Sequence, residues 1–539
     1  MSAPARPDVV EQQAATRQAA FAALMVEELV RLGVRRFYIA PGSRSTPLVA
    51  AIARNARAVA EVFVDERVAA FAALGFGRAG GPHAGAKGGF AAVVTTSGSA
   101  VGHALPAVIE ADADGVPLLV ISADRPPELQ GCGANQTIDQ QRIFGDRVRN
   151  FTSLPVPTAE LPASWWLSTL DEAVAHATGA NAGPVHINVA FRKPLEPVDG
   201  DLATLVAAIG QGDAAKGRSE LAVDTSAAAL AIWLAGVAPW RTIHVTPPRF
   251  DASDHKTIGQ LEALLQGDGV VVVGGMHDGA VDAAAERDAI AQFARLLGWP
   301  VLYDIVSGFA LDAAAAGAVV GYERILRSPG ARALLQPPTV IELGGHVVSA
   351  ALAAWIAASG ATRVAIRPAS RRRDPDHQIS LDLRATVASV VAVLIARRGA
   401  VAPAPPSRLA ATFAQLSAAL VAVESEEERA SSALDGAGAV DAIADEIEVV
   451  RAVAAALPAG AAWMIASSMP IRDANGWTSP RPAPPRIFAN RGASGIDGLV
   501  ATAMGIAAAH DGHVDRGVLD VGALRDGLGE GLVASRSTR

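Results

Sequence analysis

The sequence predicts an α/β fold of three doubly wound parallel-sheet domains, the third of them truncated. Short runs rich in Val, Ile and Phe alternate with helical patterns, as they do where helices cover both faces of a parallel sheet. Most of these runs end in Gly, Ser, Asp or Pro, which indicates buried strands that stop at a loop. Two segments rich in Gly or Pro, at 209–220 and 400–408, are predicted linkers and divide the pattern into three blocks.

The first block covers residues 1–200 and begins with a helical pattern at 17–33. Its predicted strands are RRFYIA (35–40), EVFV (61–64), FAAVVTT (90–96), PLLVISA (117–123) and VHINVA (185–190). The second block covers residues 215–400, and its predicted strands are GVVVVGG (269–275), PVLYDI (300–305), TVIELGG (339–345) and TRVAIR (362–367). The third block covers residues 408–539, with a long helical stretch and the predicted strands AAWMIA (461–466) and RIFAN (486–490).

Composition excludes several classes of protein. Half of the 539 residues are hydrophobic, which is ample for buried cores, and the net charge of −8 provides no basic surface for nucleic acid. The one cysteine, Cys132, rules out an intramolecular disulfide and is interpreted as a small buried hydrophobic residue. No signal peptide is recognisable, and the strongest apolar window, 227–240, is too short to cross a bilayer. We therefore expect a cytoplasmic protein without nucleic-acid or membrane partners.

Ligands of open parallel sheets bind beyond the carboxyl ends of the strands, so the residues that follow each predicted strand are the candidates for a site. After the first strand, Gly42 permits a tight turn and Thr46-Pro47 begins a helix. Ser43 and Arg44 then lie where helix amides point outward, which is a natural position for a carboxylate or phosphate. The alternative interpretation is a capped helix with a surface arginine.

The second and third strand exits carry a carboxylate and hydroxyl groups. Glu66 falls in the first turn of a predicted helix, where the helix dipole stabilises a negative charge. Its simplest role is to pair with Arg67 or to interact with that dipole. After the third strand, Thr96, Ser97 and Gly98 belong to a polar turn that leads into another helix.

Later strand exits carry arginine, amide and serine side chains. A long polar segment follows the fourth strand, and such a segment is more typical of a binding loop than of a plain connector. Its candidate residues are Arg125, Asn135 and Gln136. The two strand exits of the third block add Ser468, Arg472, Arg491 and Ser494. Five exits with arginine or serine together indicate a site for a ligand that has several carboxylates.

Five segments resemble the SEPHCHC synthases, the thiamin-diphosphate enzymes of menaquinone biosynthesis that join 2-oxoglutarate to isochorismate with loss of CO2. The segments are APGSRSTPL, FVDERVAAFAALGFGRA, TTSGSAVGHALPAVIEA, ADRPPEL with GCGANQTIDQ, and NRGASGIDG. They run in the order of that family and extend over about residues 17–510. The combination is specific, because other thiamin-diphosphate enzymes share the domain order and a glutamate at this strand exit but not this set of segments.

The resemblance implies a pyrimidine-binding domain, a central domain and a diphosphate-binding domain, in a homodimer or homotetramer with the active site between subunits. It implies that Glu66 is the catalytic glutamate, which hydrogen-bonds N1′ of the cofactor aminopyrimidine. The implied cofactor-binding residues are Glu66, Thr96, Ser97, Gly98, Ser494 and Ile496. The implied substrate-binding residues are Ser43, Arg44, Arg125, Asn135 and Gln136 for isochorismate, and Ser468 and Arg472, with Arg491 beside them, for 2-oxoglutarate or the intermediate.

The chain departs from the family pattern in its last domain and at one histidine. His103 stands where we expect an asparagine, and its simplest interpretation is a solvent-facing helix histidine. The family binds the cofactor diphosphate through Mg²⁺, with a Gly-Asp motif after the NRGASGIDG segment and a later asparagine. Neither is present after Arg491, so no metal ligand is predicted. Residues from about 511 also lack the family pattern, and we expect damage to the gene or its reading frame after about His510.

Four functions agree with parts of the sequence. The first is the carboligase of the resembled family, and the second is an inactive, truncated remnant that lacks the Mg²⁺-diphosphate site. A third is another thiamin-diphosphate enzyme, such as a 2-oxo-acid decarboxylase, which the SRSTPL and NRGASGID segments disfavour. The fourth is a nicotinamide-dependent oxidoreductase, but the central block lacks the Gly-x-Gly-x-x-Gly pattern that it needs.

Overall fold

A computed structural model describes residues 9–80, 89–214, 224–275, 283–368, 372–398, 403–434, 446–510, 519–520 and 532–534. Parallel sheets flanked by helices make up most of these residues, which confirms the predicted α/β class. The chain forms two compact units, one of residues 1–246 with 500–513 and one of residues 247–499 with 514–539. Among the described residues, the first unit contains one sheet and the second contains two.

The sheet of the first unit has six parallel strands. They are β1 (Val34–Ile39), β2 (Val59–Val62), β3 (Phe90–Thr95), β4 (Leu118–Asp124), β5 (Asn150–Leu154) and β6 (Pro184–Ala190), in the order β2-β1-β3-β4-β6-β5. Five of them are the predicted strands, with ends shifted by at most two residues. The prediction missed β5, because this edge strand is largely half-exposed and lacks the apolar run of a buried strand.

Helices cover both faces of this first sheet. They are α1 (Val9–Arg31), α2 (Thr46–Arg54), α3 (Glu66–Gly80), α4 (Leu105–Asp114), α5 (Ala163–Thr178), α6 (Leu202–Ala214) and α7 (Asp224–Ala235). Side chains of α1, α2 and α5 form one core with strand residues such as Phe37 and Ile39. Side chains of α3 and α4 pack on the opposite face, against Tyr38 and Val93. The sheet is therefore doubly wound, as predicted.

The second unit contains a sheet of five parallel strands. They are β7 (Gly269–Val273), β8 (Val301–Tyr303), β9 (Thr339–Leu343), β10 (Thr362–Ile366) and β11 (Ile379–Leu383), in the order β11-β10-β9-β7-β8. Its helices are α8 (His255–Leu264), α9 (Ala283–Leu297), α10 (Tyr322–Ile325), α11 (Pro329–Leu334), α12 (Ala350–Ala358) and α13 (Val387–Arg398). The sequence predicted every strand of this sheet except β11, which lies at the sheet edge and is largely half-exposed.

A smaller sheet completes the second unit. Its elements are α14 (Arg408–Leu434), α15 (Glu446–Ala456), β12 (Ala462–Met464), α16 (Met469–Trp477), β13 (Arg486–Phe488), β14 (Leu519–Asp520) and β15 (Leu532–Ala534). The predicted strands β12 and β13 are parallel, whereas β15 runs antiparallel to β12 and to β14. Apart from β14 and β15, the segment from 511, where the sequence loses the family pattern, lies outside the described residues.

Two features of the chain path differ from a simple series of blocks. The predicted linker at 209–220 begins inside α6, which extends to Ala214, and its remainder lies outside the described residues. A helix from late in the chain, α17 (Leu499–His510), packs against α3 in the first unit. No helix in the described ranges is both long and apolar enough to span a membrane.

Candidate active site

The strand order of the first sheet creates a crevice at its carboxyl edge, between β1 and β3. The chain leaves β1 toward β2 on one side and returns to β3 on the other side. Ligands of open α/β sheets bind at such a switch point, because the two loops diverge there. These two loops carry Ser43, Arg44, Thr96, Ser97 and Gly98, so the fold brings the candidates from both exits together.

The loops after β1 and β3 approach each other most closely at Gly42. A Cβ atom on Gly42 would lie 2.2 Å from Thr96 Cβ and 2.6 Å from Thr96 Oγ1. Separations this short are not found between real side chains, so only glycine fits at this position. The sequence predicted Gly42 as a turn residue, and the structure adds that its missing side chain makes room for Thr96.

Arg44 is buried, with 2% of its surface exposed. Its Nη1 donates a hydrogen bond of 2.6 Å to the carbonyl of Phe191, which follows β6. Its Nε is buried and has no hydrogen-bond partner. The interpretation of Arg44 as a surface arginine is therefore wrong. A buried guanidinium with an unused donor is unfavourable by itself and well suited to a carboxylate ligand.

Arg44 and Arg125 form a pair of positive charges beside Asp124. Burial, with a smaller contribution from Arg125, lowers the pKa of Arg44 to about 10, although Asp124 acts in the opposite direction. Arg125 donates to the Asn135 carbonyl from Nε at 3.3 Å and from Nη2 at 2.9 Å. Burial raises the pKa of Asp124, whose carboxylate accepts from Asn188 Nδ2 at 2.8 Å. Because the two arginines destabilise each other's charge, binding of a further anion is favoured here.

The polar loop after β4 folds back onto the turn after β3. Gln136 Nε2 donates to the Ser97 carbonyl at 3.0 Å. Gln136 has a φ of 55° and Gly98 a φ of 93°, and a Cβ on Gly98 would lie 3.0 Å from Gln136 Cγ. Left-handed backbone is uncommon for glutamine and is concentrated at functional sites. Asn135 and Gln136 are both exposed, so their surfaces are accessible to a ligand.

Cys132 lies in the same loop and is exposed, so its interpretation as a buried hydrophobic residue is wrong. Its Sγ is 3.8 Å from the carbonyl oxygen of Glu128. The neighbouring Gly131 and Gly133 have φ values of 68° and 72°, with nothing within 4 Å of an added Cβ. The glycines at these two positions are therefore explained by their backbone conformation and not by lack of space for a side chain.

Three hydroxyl groups at the end of β3 are buried without a hydrogen-bond partner. They belong to Thr95, Thr96 and Ser97. Since buried polar atoms in proteins are nearly always paired, their concentration at one strand exit indicates a polar ligand. These hydroxyls and the adjacent turn suit a ligand with hydrogen-bonding groups along its edge.

Glu66 is the first residue of α3, at the exit of β2, and is half-buried. Arg67 turns toward Asp65, with Nη2 2.6 Å from Asp65 Oδ2. Asp65 also accepts a hydrogen bond of 2.9 Å from the Arg67 amide. The alternative in which Glu66 pairs with Arg67 is therefore wrong. The carboxylate of Glu66 keeps its place at the start of the helix without that partner.

His103 lies near the same strand exit. The hydrogen bond from Arg67 is the main reason why the pKa of Asp65 falls to about 2, and the charge of His103 contributes to the shift. His103 itself is exposed, in the short 3-10 segment Ser99–Ala104. Its position places an imidazole beside Asp65, where the family pattern led us to expect a carboxamide.

In the second unit, Ser468 and Arg472 lie after β12, at the start of α16. Ser468 is the N-cap residue with a φ of 88°, and its hydroxyl makes no capping hydrogen bond. Arg472 is exposed, and its Nη1 lies 3.9 Å from Met469 Sδ. A serine held in the left-handed region with an uncommitted hydroxyl, one helical turn from an arginine, suits an anionic ligand.

Arg491, Ser494 and Ile496 follow β13, the parallel neighbour of β12. Ser467 Oγ donates to the Asn490 carbonyl at 2.7 Å, and this bond ties the two strand exits together. Ser494 has a φ of 60°, and Ile496 has 74% of its surface exposed. A large apolar side chain this exposed beside a polar strand exit is free to contact a ligand.

The sequence did not single out Asp304, a fully buried acid that follows β8 in the second unit. Its carboxylate accepts from the amides of Val306, Val348 and Ser349 at 3.2, 2.7 and 3.2 Å. Burial raises the pKa of Asp304 to about 6, although these amides and the charge of Arg491 act to lower it. An acid at a strand exit was the signal that identified Glu66, and the same signal applies to Asp304.

Gln140 was also missed, although it lies in the GCGANQTIDQ segment. It is fully buried, and its Oε1 accepts a hydrogen bond of 3.2 Å from the Gly98 amide. Glutamine is common in polar loops, so the sequence carried no signal that separated Gln140 from its neighbours.

The residues that the structure describes include no group of three or more His, Cys, Asp and Glu side chains placed to bind a metal ion. The candidate side chains are mainly arginines, hydroxyls and amides, whereas Mg²⁺ prefers carboxylate oxygens. The described residues therefore suit the organic groups of a cofactor and its substrates, and they provide no evident Mg²⁺ site.

Family models match two parts of the chain. The N-terminal TPP-binding domain of thiamine pyrophosphate enzymes matches residues 20–143, and the middle domain of the same enzymes matches residues 224–435. The first match contains every candidate residue of the first unit.

Curated relatives are similar over most of the chain, and those named here are all 2-succinyl-5-enolpyruvyl-6-hydroxy-3-cyclohexene-1-carboxylate synthases. The protein of Salinibacter ruber is 39% identical over 524 residues, which cover 95% of this chain and 80% of the relative. That of Rubrobacter xylanophilus is 39% identical over 90% of this chain and 76% of the relative. That of Chlorobaculum tepidum is 36% identical over 90% and 75%. The chain therefore belongs to the SEPHCHC synthase family of thiamin-diphosphate-dependent transferases.

Proposed function

We propose that this chain catalyses a step of menaquinone biosynthesis in which 2-oxoglutarate loses CO2 and its remaining four carbons are joined to isochorismate. The C1–C2 bond of 2-oxoglutarate breaks, and a new carbon–carbon bond forms to the isochorismate ring. The observation that carries the proposal is the pairing of two arginines, one of them buried, with unpaired buried hydroxyls at a switch point. The shared name of the curated relatives supports the same reaction.

Thiamin diphosphate, when bound, supplies the electron sink for the decarboxylation. The resemblance implies Mg²⁺ as the partner of its diphosphate, for which the described residues provide no evident site. With the cofactor bound, Glu66 at the start of α3 would hold a proton at N1′ of the aminopyrimidine. Thr96, Ser97 and Gly98 form the polar turn that faces the edge of this ring. Ser494 and Ile496 are proposed as further cofactor-binding residues from the resemblance of their segment.

Isochorismate carries two carboxylates, and we assign them to Arg44 and Arg125. Arg44 offers a buried Nε without a partner, and Arg125 contributes a second cation close enough to lower the pKa of Arg44. Ser43, Asn135 and Gln136 add polar contacts from the same two loops. In the second unit, we assign Ser468, Arg472 and Arg491 to 2-oxoglutarate, whose carboxylates need cations and hydroxyl donors.

The test is product formation by the 539-residue chain with both substrates, thiamin diphosphate and Mg²⁺. Mass spectrometry is expected to detect the joined product together with CO2 release. Glu66→Gln keeps the shape of the side chain and removes its negative charge, so we expect at least a hundredfold loss of turnover. The matched control is Glu262→Gln, since Glu262 is a half-buried acid on α8 that pairs with Arg397. Equal turnover in both variants would contradict the role of Glu66.

A second candidate function is a chain that binds the substrates without the cofactor. The observation that favours it is the sequence after Arg491, which has neither a Gly-Asp dipeptide nor an asparagine. Calorimetric binding of isochorismate in the absence of any product would support this alternative.

We also propose that the protein is a homodimer or homotetramer. Two apolar side chains at the exit of β2 are strongly exposed in the single chain, Val62 at 69% and Val64 at 92%. They adjoin Glu66, and a second copy of the chain would remove them from water. Light scattering is expected to show an oligomer that Val64→Asp weakens, whereas Val421→Asp, at an exposed position on α14, has no effect. A monomeric wild-type chain would contradict this proposal.

A further inference from the structure

Gln140 is the centre of a buried polar network in the first unit. It lies in the loop between β4 and β5 and is fully buried. Its Nε2 donates to the Ala123 carbonyl at 3.1 Å and to Asn188 Oδ1 at 2.7 Å. Because a carboxamide has two N–H donors, both are committed, and its Oε1 is directed to the Gly98 amide at 3.2 Å. The orientation of Gln140 is therefore fixed by three partners on three different segments.

Asn188, on β6, fixes the other side of this arrangement. Its Oδ1 accepts from both Gln140 Nε2 and Ser122 Oγ, each at 2.7 Å. Its Nδ2 donates to Asp124 Oδ2 at 2.8 Å. With both lone pairs of Oδ1 in use, Asn188 cannot turn over without losing several buried hydrogen bonds. Asn188 thereby links Gln140 to the acid next to Arg125.

The far end of the network is a neutral histidine. Ser122 Oγ donates to Asn188, so it accepts from Nε2 of His186 at 2.7 Å. Burial lowers the pKa of His186 to about 3, and the rings of Phe144 and Phe151 pack at 5.0 and 5.1 Å from the imidazole. The network therefore begins at a group that stays uncharged near neutral pH, and the donor and the acceptor of each of its hydrogen bonds are defined.

The near end of the network is the turn that carries the unpaired hydroxyls. Gly98 has a φ of 93°, and its amide is the group that Gln140 binds. On the other side of the same turn, Gln136 donates to the Ser97 carbonyl at 3.0 Å. The hydroxyls of Thr96 and Ser97 are left for a ligand, while the peptide group between Ser97 and Gly98 is held from both sides.

We propose that Gln140 is a positioning residue that fixes the Gly98 turn, and with it Gln136, in the geometry that binds isochorismate. This inference rests on the proposed function, because isochorismate is the ligand assigned to that loop. Gln140 does not itself face the crevice; it acts through the Gly98 amide. Its loss frees the turn and the loop after β4 together, since both are anchored to the same carboxamide.

The first test measures hydrogen exchange at the Gly98 amide of the full chain, localised by fragmentation of the peptide. Gln140→Met keeps the length of the side chain and removes all three hydrogen bonds, so we expect exchange at least about tenfold faster. The matched control is Gln141→Met, because Gln141 is the exposed neighbour. Unchanged exchange in Gln140→Met would overturn the proposal.

The second test measures isochorismate affinity by calorimetry. We expect Gln140→Met to weaken binding about tenfold and Gln141→Met to leave it within about twofold. Fast exchange with unchanged affinity would mean that Gln140 is merely structural, which overturns the positioning role. If the wild-type chain itself binds no isochorismate, the proposed function fails, and the substrate role of Gln140 fails with it.

Gln140→Glu keeps the proposal testable if the methionine variant does not fold. A carboxylate cannot donate to Ala123 or Asn188, whereas a protonated carboxyl group can restore one of these bonds. The affinity of this variant, relative to wild type at the same pH, is therefore expected to be several-fold better at pH 6 than at pH 8. Comparing the variant with wild type at the same pH removes any pH effect that both proteins share. Such shared effects include those of the neighbouring charged or titratable groups, Asp124, Asp139, His186, Arg44 and Arg125. Wild-type affinity at both pH values would contradict the inference.

Discussion

The guanidinium of Arg44 is held in the protein interior by a single hydrogen bond, from Nη1 to the Phe191 carbonyl. A structural arginine at such a position normally has a carboxylate partner, because an unpaired buried cation is unfavourable. Arg44 instead has an uncommitted Nε and a second cation, Arg125, close enough to lower its pKa. At the scale of single residues, this is the strongest indication that an anionic ligand completes the site.

Replacing Arg44 by lysine tests this interpretation. Arg44→Lys keeps the charge and removes the planar fork that binds a carboxylate through two nitrogens, so we expect isochorismate affinity to fall about tenfold or more. The control is Arg54→Lys on α2, since Arg54 makes the same kind of bond, from Nη1 to the Val198 carbonyl at 2.6 Å. Calorimetric titration measures both variants, and equal affinities would contradict a ligand contact by Arg44.

At this scale, the sequence predicted residues at strand exits and missed residues that act through the tertiary fold. Ser43, Arg44 and Glu66 follow apolar runs directly, so a simple rule finds them. Gln140 and Asn188 lie 48 positions apart, and their 2.7 Å contact exists only because β4 and β6 are neighbours in the sheet. No sequence pattern within either segment predicts that contact.

Two helices of the first unit, α3 and α17, cross at glycine positions. A Cβ on Gly75 would lie 2.0 Å from the Thr502 carbonyl oxygen, and one on Gly505 would lie 1.9 Å from the Ala72 carbonyl oxygen. The backbones are therefore in direct contact, which a side chain on either glycine would prevent. This contact could not be predicted from the sequence, because α17 is more than 400 residues further along the chain than α3.

Alanine substitutions measure this close approach. In an open helix position, glycine to alanine stabilises a protein by about 0.5–1 kcal/mol. We expect Gly75→Ala and Gly505→Ala to change the free energy of unfolding in the opposite direction, destabilising the first unit by about 1–3 kcal/mol. Gly259→Ala in α8 is the control, because nothing lies within 4 Å of its added Cβ. Urea unfolding of the three variants measures whether each substitution raises or lowers the free energy of unfolding. Stabilisation by all three would contradict direct backbone contact between α3 and α17.

A pair of buried acids joins α1, α5 and the segment after α7. Glu28 accepts from Trp233 Nε1 at 2.7 Å and from the Trp240 amide at 2.6 Å. Burial, and then the neighbouring Glu28, raise the pKa of Asp171 to about 8, against a smaller opposing effect of Arg241. The native state therefore keeps a proton on Asp171 at pH values where the unfolded chain has released it.

This raised pKa predicts the direction of a pH effect on stability. The contribution of Asp171 is fully present below the unfolded value near 4 and is lost as the pH rises toward about 8, since the native state binds more protons over that range. Asp171→Asn supplies a hydrogen without titrating, so its melting temperature is expected to exceed that of wild type by a few degrees at pH 8 and by less at pH 5. Glu172→Gln, at the exposed neighbour, is the control. A difference between Asp171→Asn and wild type that does not grow with pH would contradict the assignment.

At the scale of helices and strands, the sequence predicted the buried strands and missed two strands at the edges of the sheets. The central strands β3, β4 and β7 are buried at every position, so their apolar runs are continuous. The missed strands β5 and β11 are edges with mixed exposure, and NFTSL and ISLDL resemble many loop sequences. The buried strands of the first sheet could therefore be predicted before the structure, whereas its width and its strand order could not.

At the scale of the whole molecule, the candidate residues divide between two compact units. The first unit contains the crevice between β1 and β3 and Glu66, and the second contains the exits of β12 and β13 with Ser468 and Arg491. The identity to curated SEPHCHC synthases extends across both, over 95% of the chain for the relative from Salinibacter ruber. A function that needs all these residues therefore needs both units.

Calorimetric titration of the 539-residue chain with thiamin diphosphate, with and without Mg²⁺, tests most directly whether the chain binds the cofactor of the proposed carboligase. We expect saturable binding that persists in Glu66→Gln with weaker affinity, since this variant retains the polar turn of Thr96, Ser97 and Gly98. No binding of thiamin diphosphate at millimolar concentration, in a chain that still binds isochorismate, would contradict the proposed carboligase and support a chain that binds the substrates without the cofactor.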